Sequence, residues 1–472
     1  MAVAHRRMTV SGLVLVSFMA ALEATVVGTA MPSIVADLGG VSLYGWVGSS
    51  YLLASTVSVP IYGKLADLFG RKPILFFGIG LFLLGSIASG SATSIHILII
   101  ARAIQGLGAG GMQPISMTVV GDLYSLSERA RVQAAFGAVW GTAGVLGPLL
   151  AGVIVRALSW RWTFWINVPF GLASLAILYY AYKDEILRKK PSIDWGGAAL
   201  LAGGALAWLL AAEGTSPPLM IGGGFLMFLT LVLREPRVRE PILPLALFLR
   251  RSIAVASFSS LALGATMMGT LMFVPLYVQG VLGGSPTDGG STIAPMLVGW
   301  PIAAAVTSRL IVKTGFRKPV WLGSVLCAVP LVGMSLVLNP SVSLWTLRGL
   351  SFVYGLGMGA TNSAVLLAVQ SSVEHAERGV ATASTMFTRS MGGALGTGMM
   401  GALFASKLGH DLPADAVAGL LGPGRTELLA RVSGLEAGLG GAIAPVFATI
   451  AALAVINVLI VAFYPKHQET RG

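Results

Sequence analysis

Cysteine is nearly absent: Cys327 is the only one in 472 residues, and it stands inside an apolar run. No intrachain disulfide and no thiol–metal site can be assembled from it. Histidine is also scarce, with five residues at or near segment ends and none at metal-ligand spacing. Charge is scarce too. Charged residues make up 11% of the chain, whereas a soluble domain carries about a quarter. No nucleophile with a base, phosphate loop or metal cluster is present, so an enzyme is not expected. What fills the chain instead is apolar: 55% of the positions are hydrophobic. That composition describes a polytopic membrane protein, all α-helical.

About 20 apolar residues cross the hydrocarbon core as a helix. Runs of that length fall near 10–32, 43–63, 73–92, 97–121, 131–155, 163–182, 195–213, 217–233, 253–282, 290–312, 319–338, 343–370, 379–405 and 438–464, which predicts fourteen spans. His5, Arg6 and Arg7 before the first run resemble the start of a leader, but a mid-run Glu and the many later spans make it a retained first helix. The net charge of +12 lies in short loops between spans rather than on a nucleic-acid surface. Arg71, Lys72, Arg129, Arg188, Lys189, Lys190, Arg250, Arg251, Arg317 and Lys318 fall in one set of alternate loops, and few basic residues fall in the other. By the positive-inside rule both termini are cytoplasmic, as an even span count requires. The one long external segment, 406–436, is expected to carry a short surface helix.

The two ends of the chain repeat each other. Arg71-Lys72-Pro73 recurs as Arg317-Lys318-Pro319, Arg102 as Arg348, Gly106-Leu107-Gly108 as Gly355-Leu356-Gly357, and Glu128-Arg129 as Glu377-Arg378. The expected organisation is a six-helix bundle over 1–185, a linker with two extra spans over 186–250, and a second six-helix bundle over 251–472. Repeated halves are how many secondary transporters build a midplane site opened to alternate sides.

Within the first run sits Glu23, the deepest carboxylate in any membrane-length segment. A charge at the bilayer centre costs at least a few kcal/mol, so such an acid faces a protein interior or an aqueous cavity. It is a candidate proton carrier or a protonated structural group. At 1.5 Å per residue, Glu23 lies about 12 Å below the outer end of its helix, and Arg102, on an inward-running helix, about 8 Å below the same surface. The two can meet; alternatively Arg102 bonds backbone carbonyls.

Several motifs carry a resemblance. Gly63-Lys64-Leu65-Ala66-Asp67-Leu68-Phe69-Gly70-Arg71-Lys72 resembles the loop signature between helices two and three of the major facilitator superfamily. Leu98-Ile99-Ile100-Ala101-Arg102-Ala103-Ile104-Gln105-Gly106-Leu107-Gly108 is similar to its fourth-helix motif, and Gly141-Thr142-Ala143-Gly144-Val145-Leu146-Gly147-Pro148-Leu149-Leu150-Ala151-Gly152 to the fifth-helix motif of antiporters. Leu22 to Val27 with Met31-Pro32, together with Trp160-Arg161-Trp162 and Asn167 to Gly171, is similar to the fourteen-span drug:proton antiporter branch. In its first-helix motif Glu replaces the more usual Asp, and later helices lack the additional acids of some multidrug members.

The resemblance implies export of amphipathic, cationic small molecules in exchange for protons, with Glu23 and Arg102 as the coupling pair. The proton gradient supplies the energy, without a cofactor. It also implies a conformational latch at Gly63, Asp67, Gly70, Arg71 and Lys72, and an exchange motif at Gly144, Gly147, Pro148 and Gly152. From the residues alone, Asp67 pairs with Arg71 or sits at a helix N-terminus. Substrate-cavity candidates are Tyr51 and Ser55, which share a helical stripe with Ser58 and Tyr62; Met112, Gln113 and Trp140; Met268, Met272, Phe273 and Tyr277; and Tyr354, Asn362 and Arg389. The expected protein is a monomer in the inner cell membrane, meeting its substrate, protons and lipids but no nucleic acid. An exporter of a lipid, siderophore or specific metabolite, or an uptake symporter, would use the same helices.

Overall fold

A computed structural model describes residues 3–38, 44–183, 194–212, 217–234, 237–238, 245–284, 286–339, 341–374, 377–411 and 434–465. All the regular secondary structure among these residues is helical. In order the helices are α1 (Val3–Leu38), α2 (Tyr44–Phe69), α3 (Arg71–Gly90), α4 (Ile95–Leu123), α5 (Leu126–Ala157), α6 (Trp162–Trp165), α7 (Asn167–Ala181), α8 (Trp195–Ala212) and α9 (Pro217–Arg234). After them come α10 (Leu245–Leu249), α11 (Arg251–Gly280), α12 (Pro286–Thr314), α13 (Arg317–Val337), α14 (Leu344–Ser371), α15 (Arg378–Asp411) and α16 (Leu435–Ala462). Among the described residues nine helices are long and apolar enough to cross a bilayer. Most of segment 406–436, expected from the sequence to be external, and the basic cluster Arg188, Lys189 and Lys190 lie outside the described residues.

Helix starts follow local chemistry. Ser94 caps α4 by accepting from Ile97 N at 3.3 Å. At α5, Ser125 and Glu128 form a capping box, with Ser125 N donating to Glu128 Oε2 at 3.0 Å, so orphan amides find partners. Gly70 and Gly315 sit just before α3 and α13 with φ of 98° and 71°, a left-handed backbone in which a β-carbon would be strained.

The helices form two compact units. Unit 1 comprises Met1–Ala207, Gly222–Ile253 and Val369–Phe387; unit 2 comprises Trp208–Ile221, Ala254–Ala368 and Thr388–Gly472. In unit 1, α4 packs on α2 and α3 through glycines that let backbones touch. A β-carbon on Gly106 would strike the carbonyl oxygen of Tyr51, one on Gly110 that of Ser55, and one on Gly108 the amide of Phe82. Unit 2 repeats this arrangement: Gly355 faces Met296 O, Gly359 faces Trp300 O and Gly357 faces Cys327 N.

These contacts fix the register of the repeat. Helix α4 corresponds to α14 at a displacement of 249 (106 to 355, 110 to 359) and α2–α3 to α12–α13 at 245 (51 to 296, 82 to 327). Gly147 of α5 abuts Thr25 of α1, and Gly396 of α15 abuts Ala265 of α11, which sets 249 for α5 and 240 for α1. The pairing of Arg102 with Arg348 therefore needs correcting. By backbone register the counterpart of Arg102 is Ser351, and Arg348 instead reaches Ser291 and Asp288 in the first turns of α12.

Candidate functional site

Unit 1 holds a buried polar network that joins α1, α2, α3, α4 and α7. Arg102 Nη1 of α4 pairs with Glu23 Oε1 of α1 and also donates to Gln105 Oε1 at 2.7 Å, while its Nε donates to Val47 O at 3.2 Å. The guanidinium lies over the Tyr51 ring, 4.2 Å from its centroid. The second carboxylate oxygen accepts from Asn167 Nδ2 at 2.7 Å. Asn167 and Gln105 both donate to Ser86 Oγ, at 3.1 and 3.2 Å, and Ser86 donates to Phe164 O at 2.8 Å. Glu23 is 1% exposed and Arg102 3%.

Both alternatives left open for Arg102 are therefore realised at once, with a carboxylate on one edge and a backbone carbonyl on the other. The sequence reading missed Asn167, Gln105 and Ser86 as partners of the pair. The available signal was a polar residue within each apolar run, but periodicity could not say that three helices turn those residues toward one point.

The repeat register shows how unequal the two units are. In unit 2 the positions of Glu23, Tyr51, Ser86, Arg102 and Gln105 are held by Leu263, Met296, Leu331, Ser351 and Tyr354. All of these but Ser351 belong to the hydrophobic core of that unit. The same scaffold thus carries an ion pair in one repeat and a packed core in the other.

A second polar cluster lies at the α2–α3 turn. Asp67 Oδ1 makes an ion pair with Arg71 Nη2 at 2.8 Å, and its Oδ2 accepts from Val380 N at 2.8 Å, at the start of α15. Arg71 also reaches Asp122 Oδ2 at 3.1 Å, and Arg378 approaches Asp122 Oδ1 at 3.5 Å. Asp67 thus satisfies both expectations, an arginine partner and a helix N-terminus. Gly63 is close-packed on Ala383. Lys72 turns elsewhere: its Nζ donates to Tyr179 O at 2.8 Å and Tyr182 O at 2.6 Å, at the carboxyl end of α7.

Burial pushes the Asp67 carboxyl up to about 7, against the lowering effect of Arg71 and the Val380 amide. Folded protein therefore binds this proton more tightly than unfolded chain, whose Asp titrates near 3.8. Its stabilising contribution is complete below about pH 4 and is lost as pH rises to about 7. Thermal melts between pH 4 and 8 are expected to show this decline in wild type and a flatter profile in Asp67→Asn. An unchanged slope would remove Asp67 as its source.

At the far end of α1, Asp37 Oδ2 accepts from Arg161 Nη1 at 2.7 Å and Trp160 Nε1 at 3.0 Å. Those hydrogen bonds hold the Asp37 carboxyl below its ordinary value.

The remaining candidates scatter. Ser58 and Tyr62 of the α2 stripe face Gly110 and Gly111, while Ser55 is half-buried and bonds Leu52 O at 3.0 Å. Met112 is fully buried, Gln113 accepts from Ser17 Oγ at 3.2 Å, and Trp140 is exposed over a third of its surface. In unit 2, Met268 packs on Gly393 and Met272 is half exposed. Phe273, Tyr277 and Tyr354 are core residues of unit 2, the first two edge-on to Phe404 and Phe447, and Tyr354 Oη donates to Thr266 Oγ1 at 3.0 Å. Asn362 and Arg389 bond each other. Gly147 meets Thr25, whose hydroxyl donates to Ala143 O at 3.2 Å; the side-chain positions of Gly144, Pro148 and Gly152 lie outside the described residues.

An ion pair buried among membrane-length helices, inside one half of an internally repeated bundle, belongs to the architecture of secondary transporters. The profile of the Major Facilitator Superfamily matches residues 13–397, and the chain belongs to that family of transporters. It is 34% identical over 449 residues to the multidrug transporter protein MdtP of Bacillus subtilis (strain 168), covering 93% of this chain and 82% of that one. To multidrug resistance protein 3 of the same organism it is 34% identical, over 89% of this chain and 83% of the relative. Among solved structures, the human organic anion transporter MFSD10 (TETRAN) superposes with a TM-score of 0.67 over 96% of this chain and 99% of that one, at 16% identity, a likeness of fold alone.

Proposed function

We propose that this chain is a proton-coupled antiporter of the fourteen-span drug:proton branch, exporting amphipathic, cationic small molecules across the inner cell membrane by alternating access, with both termini cytoplasmic. The observation that carries the reading is the Glu23–Arg102 pair, a carboxylate and a guanidinium that share a buried network in the first repeat and, among the described residues, not in the second. In this conformation Glu23 is closed from water. Coupling requires a second conformation in which the carboxylate trades Arg102 for a proton or a cationic substrate, because one anionic site cannot hold both charges cheaply. The two Bacillus relatives are named as multidrug proteins, which supports drug export. With one deep acid, the minimal stoichiometry is about one proton per turn; at that stoichiometry a monocation exchanges electroneutrally, driven by the pH difference alone.

The test is proton release when a lipophilic cationic dye is added to purified protein, with pH-driven dye exchange in proteoliposomes. Wild type is expected to release protons and exchange dye, and Glu23→Gln to do neither while still inserting into membranes. PH-driven exchange by Glu23→Gln at the wild-type rate rejects the mechanism.

A further inference from the structure

Arg389 of α15 has no carboxylate partner among the described residues, and its one hydrogen bond there is from Nη1 to Asn362 Oδ1 of α14 at 2.5 Å. Both residues are deep along their helices. Asn362 lies nine residues before the end of α14 and Arg389 eleven after the start of α15, about 14 and 16 Å at the helical rise. That is about half of the 30 Å hydrocarbon thickness. Close packing fixes the backbone here, since a β-carbon on Gly264 of α11 would strike the carbonyl oxygen of Arg389. The residue is nonetheless half-buried rather than sealed.

The repeat register makes the cation distinctive. Asn362 corresponds to Gln113 and Arg389 to Trp140, while Ser257 takes the place of Ser17. In unit 1 the equivalent group is neutral, with Ser17 Oγ donating to Gln113 Oε1. In unit 2 a guanidinium replaces the indole, and the buried Ser257 hydroxyl has no hydrogen-bond partner among the described residues. A cation at membrane depth without an anion is costly and marks a ligand site. Guanidinium offers five donors in a planar fork, of which Asn362 uses one, and the rest match the two oxygens of a carboxylate.

We propose that Arg389 and Asn362 form an oxyanion subsite that takes the carboxylate of an exported amphiphile, so that zwitterions are preferred over simple cations. This rests on the exporter reading above and narrows its substrate class. The probes are a cationic xanthene dye with a free carboxylate and the same dye as its methyl ester, titrated by fluorescence anisotropy against purified full-length protein in neutral-lipid nanodiscs.

Wild type is expected to bind the acid about tenfold or more tightly than the ester, the scale of a charge-assisted hydrogen bond. Arg389→Gln should remove that preference and Arg389→Lys restore part of it. Asn362→Asp, which keeps the guanidinium and supplies an internal anion, should remove it while the protein remains folded. Equal binding of the two dyes by wild type, binding of neither, or an unaltered preference in Arg389→Gln overturns the proposal. A preference that disappears when phosphatidylglycerol is added assigns the site to a lipid headgroup and overturns it too. Because binding is read without a gradient, such a result leaves the Glu23 exchange assay standing, and failure of that assay leaves this one readable.

Discussion

Replacing Arg102 with Leu is expected to cost the protein about 3–5 kcal/mol of stability at neutral pH, the typical penalty for stranding one partner of a buried pair. The carboxylate of Glu23 would keep only the Asn167 hydrogen bond, inside a site 1% exposed. Gln105 Oε1 and Val47 O would lose their donor as well. The stranded charge is the larger part of that cost. A double variant, Glu23→Gln with Arg102→Leu, should therefore recover much of the stability, since no unpaired charge remains, yet transport should stay absent. Denaturation of the single and double variants in detergent measures this directly. A double variant less stable than Arg102→Leu would mean that Arg102 acts through packing on Tyr51 and Phe164 rather than through charge.

The pair was legible in sequence because depth is additive along a helix. Counting 1.5 Å per residue inward from two helix ends brought Glu23 and Arg102 to similar levels, and they do meet. Azimuth was not legible in the same way. Tyr51, Ser58 and Tyr62 form one stripe on α2, but the stripe is spent on α4: Tyr62 and Ser58 against glycines, Tyr51 beneath the guanidinium. Polar spacing alone cannot distinguish a face turned to water from one turned to a glycine-notched neighbour.

The repeat was legible in outline and misregistered in detail. Matching arginines by type joined Arg102 to Arg348, whereas the glycine contacts displace α4 by 249 and α2–α3 by 245. The shift of four arises half from a longer connection, 338–343 against 91–94, and half from α13 running two residues further beyond Cys327 than α3 does beyond Phe82. Once the register is right, the asymmetry between units becomes visible: charge sits at Glu23 and Arg102 in one, and at Arg389 in the other, at positions that do not correspond. A duplicated scaffold has thus kept its backbone contacts and diverged in its polar groups, which is where the two halves can take different ligand charges.

The glycine contacts also predict opposite outcomes for one substitution at two sites. Gly80 of α3 has open space where a β-carbon would stand, and Gly80→Ala should stabilise by about 0.4–1 kcal/mol by restricting the unfolded chain. Gly106 of α4 faces the backbone of Tyr51, which cannot swing aside as a side chain can. Gly106→Ala forces α2 outward, and overpacking of this kind costs about 1–3 kcal/mol or more. The same displacement lifts the Tyr51 ring from its 4.2 Å seat on Arg102 and withdraws Val47 O from its Nε, since both belong to α2. Transport should therefore fall more steeply than stability does, whereas Gly80→Ala should leave it unchanged. Melting temperatures and pH-driven dye exchange on the two variants separate these effects. Equal transport by both would mean that the α2–α4 contact supports the fold without tuning the Glu23–Arg102 pair.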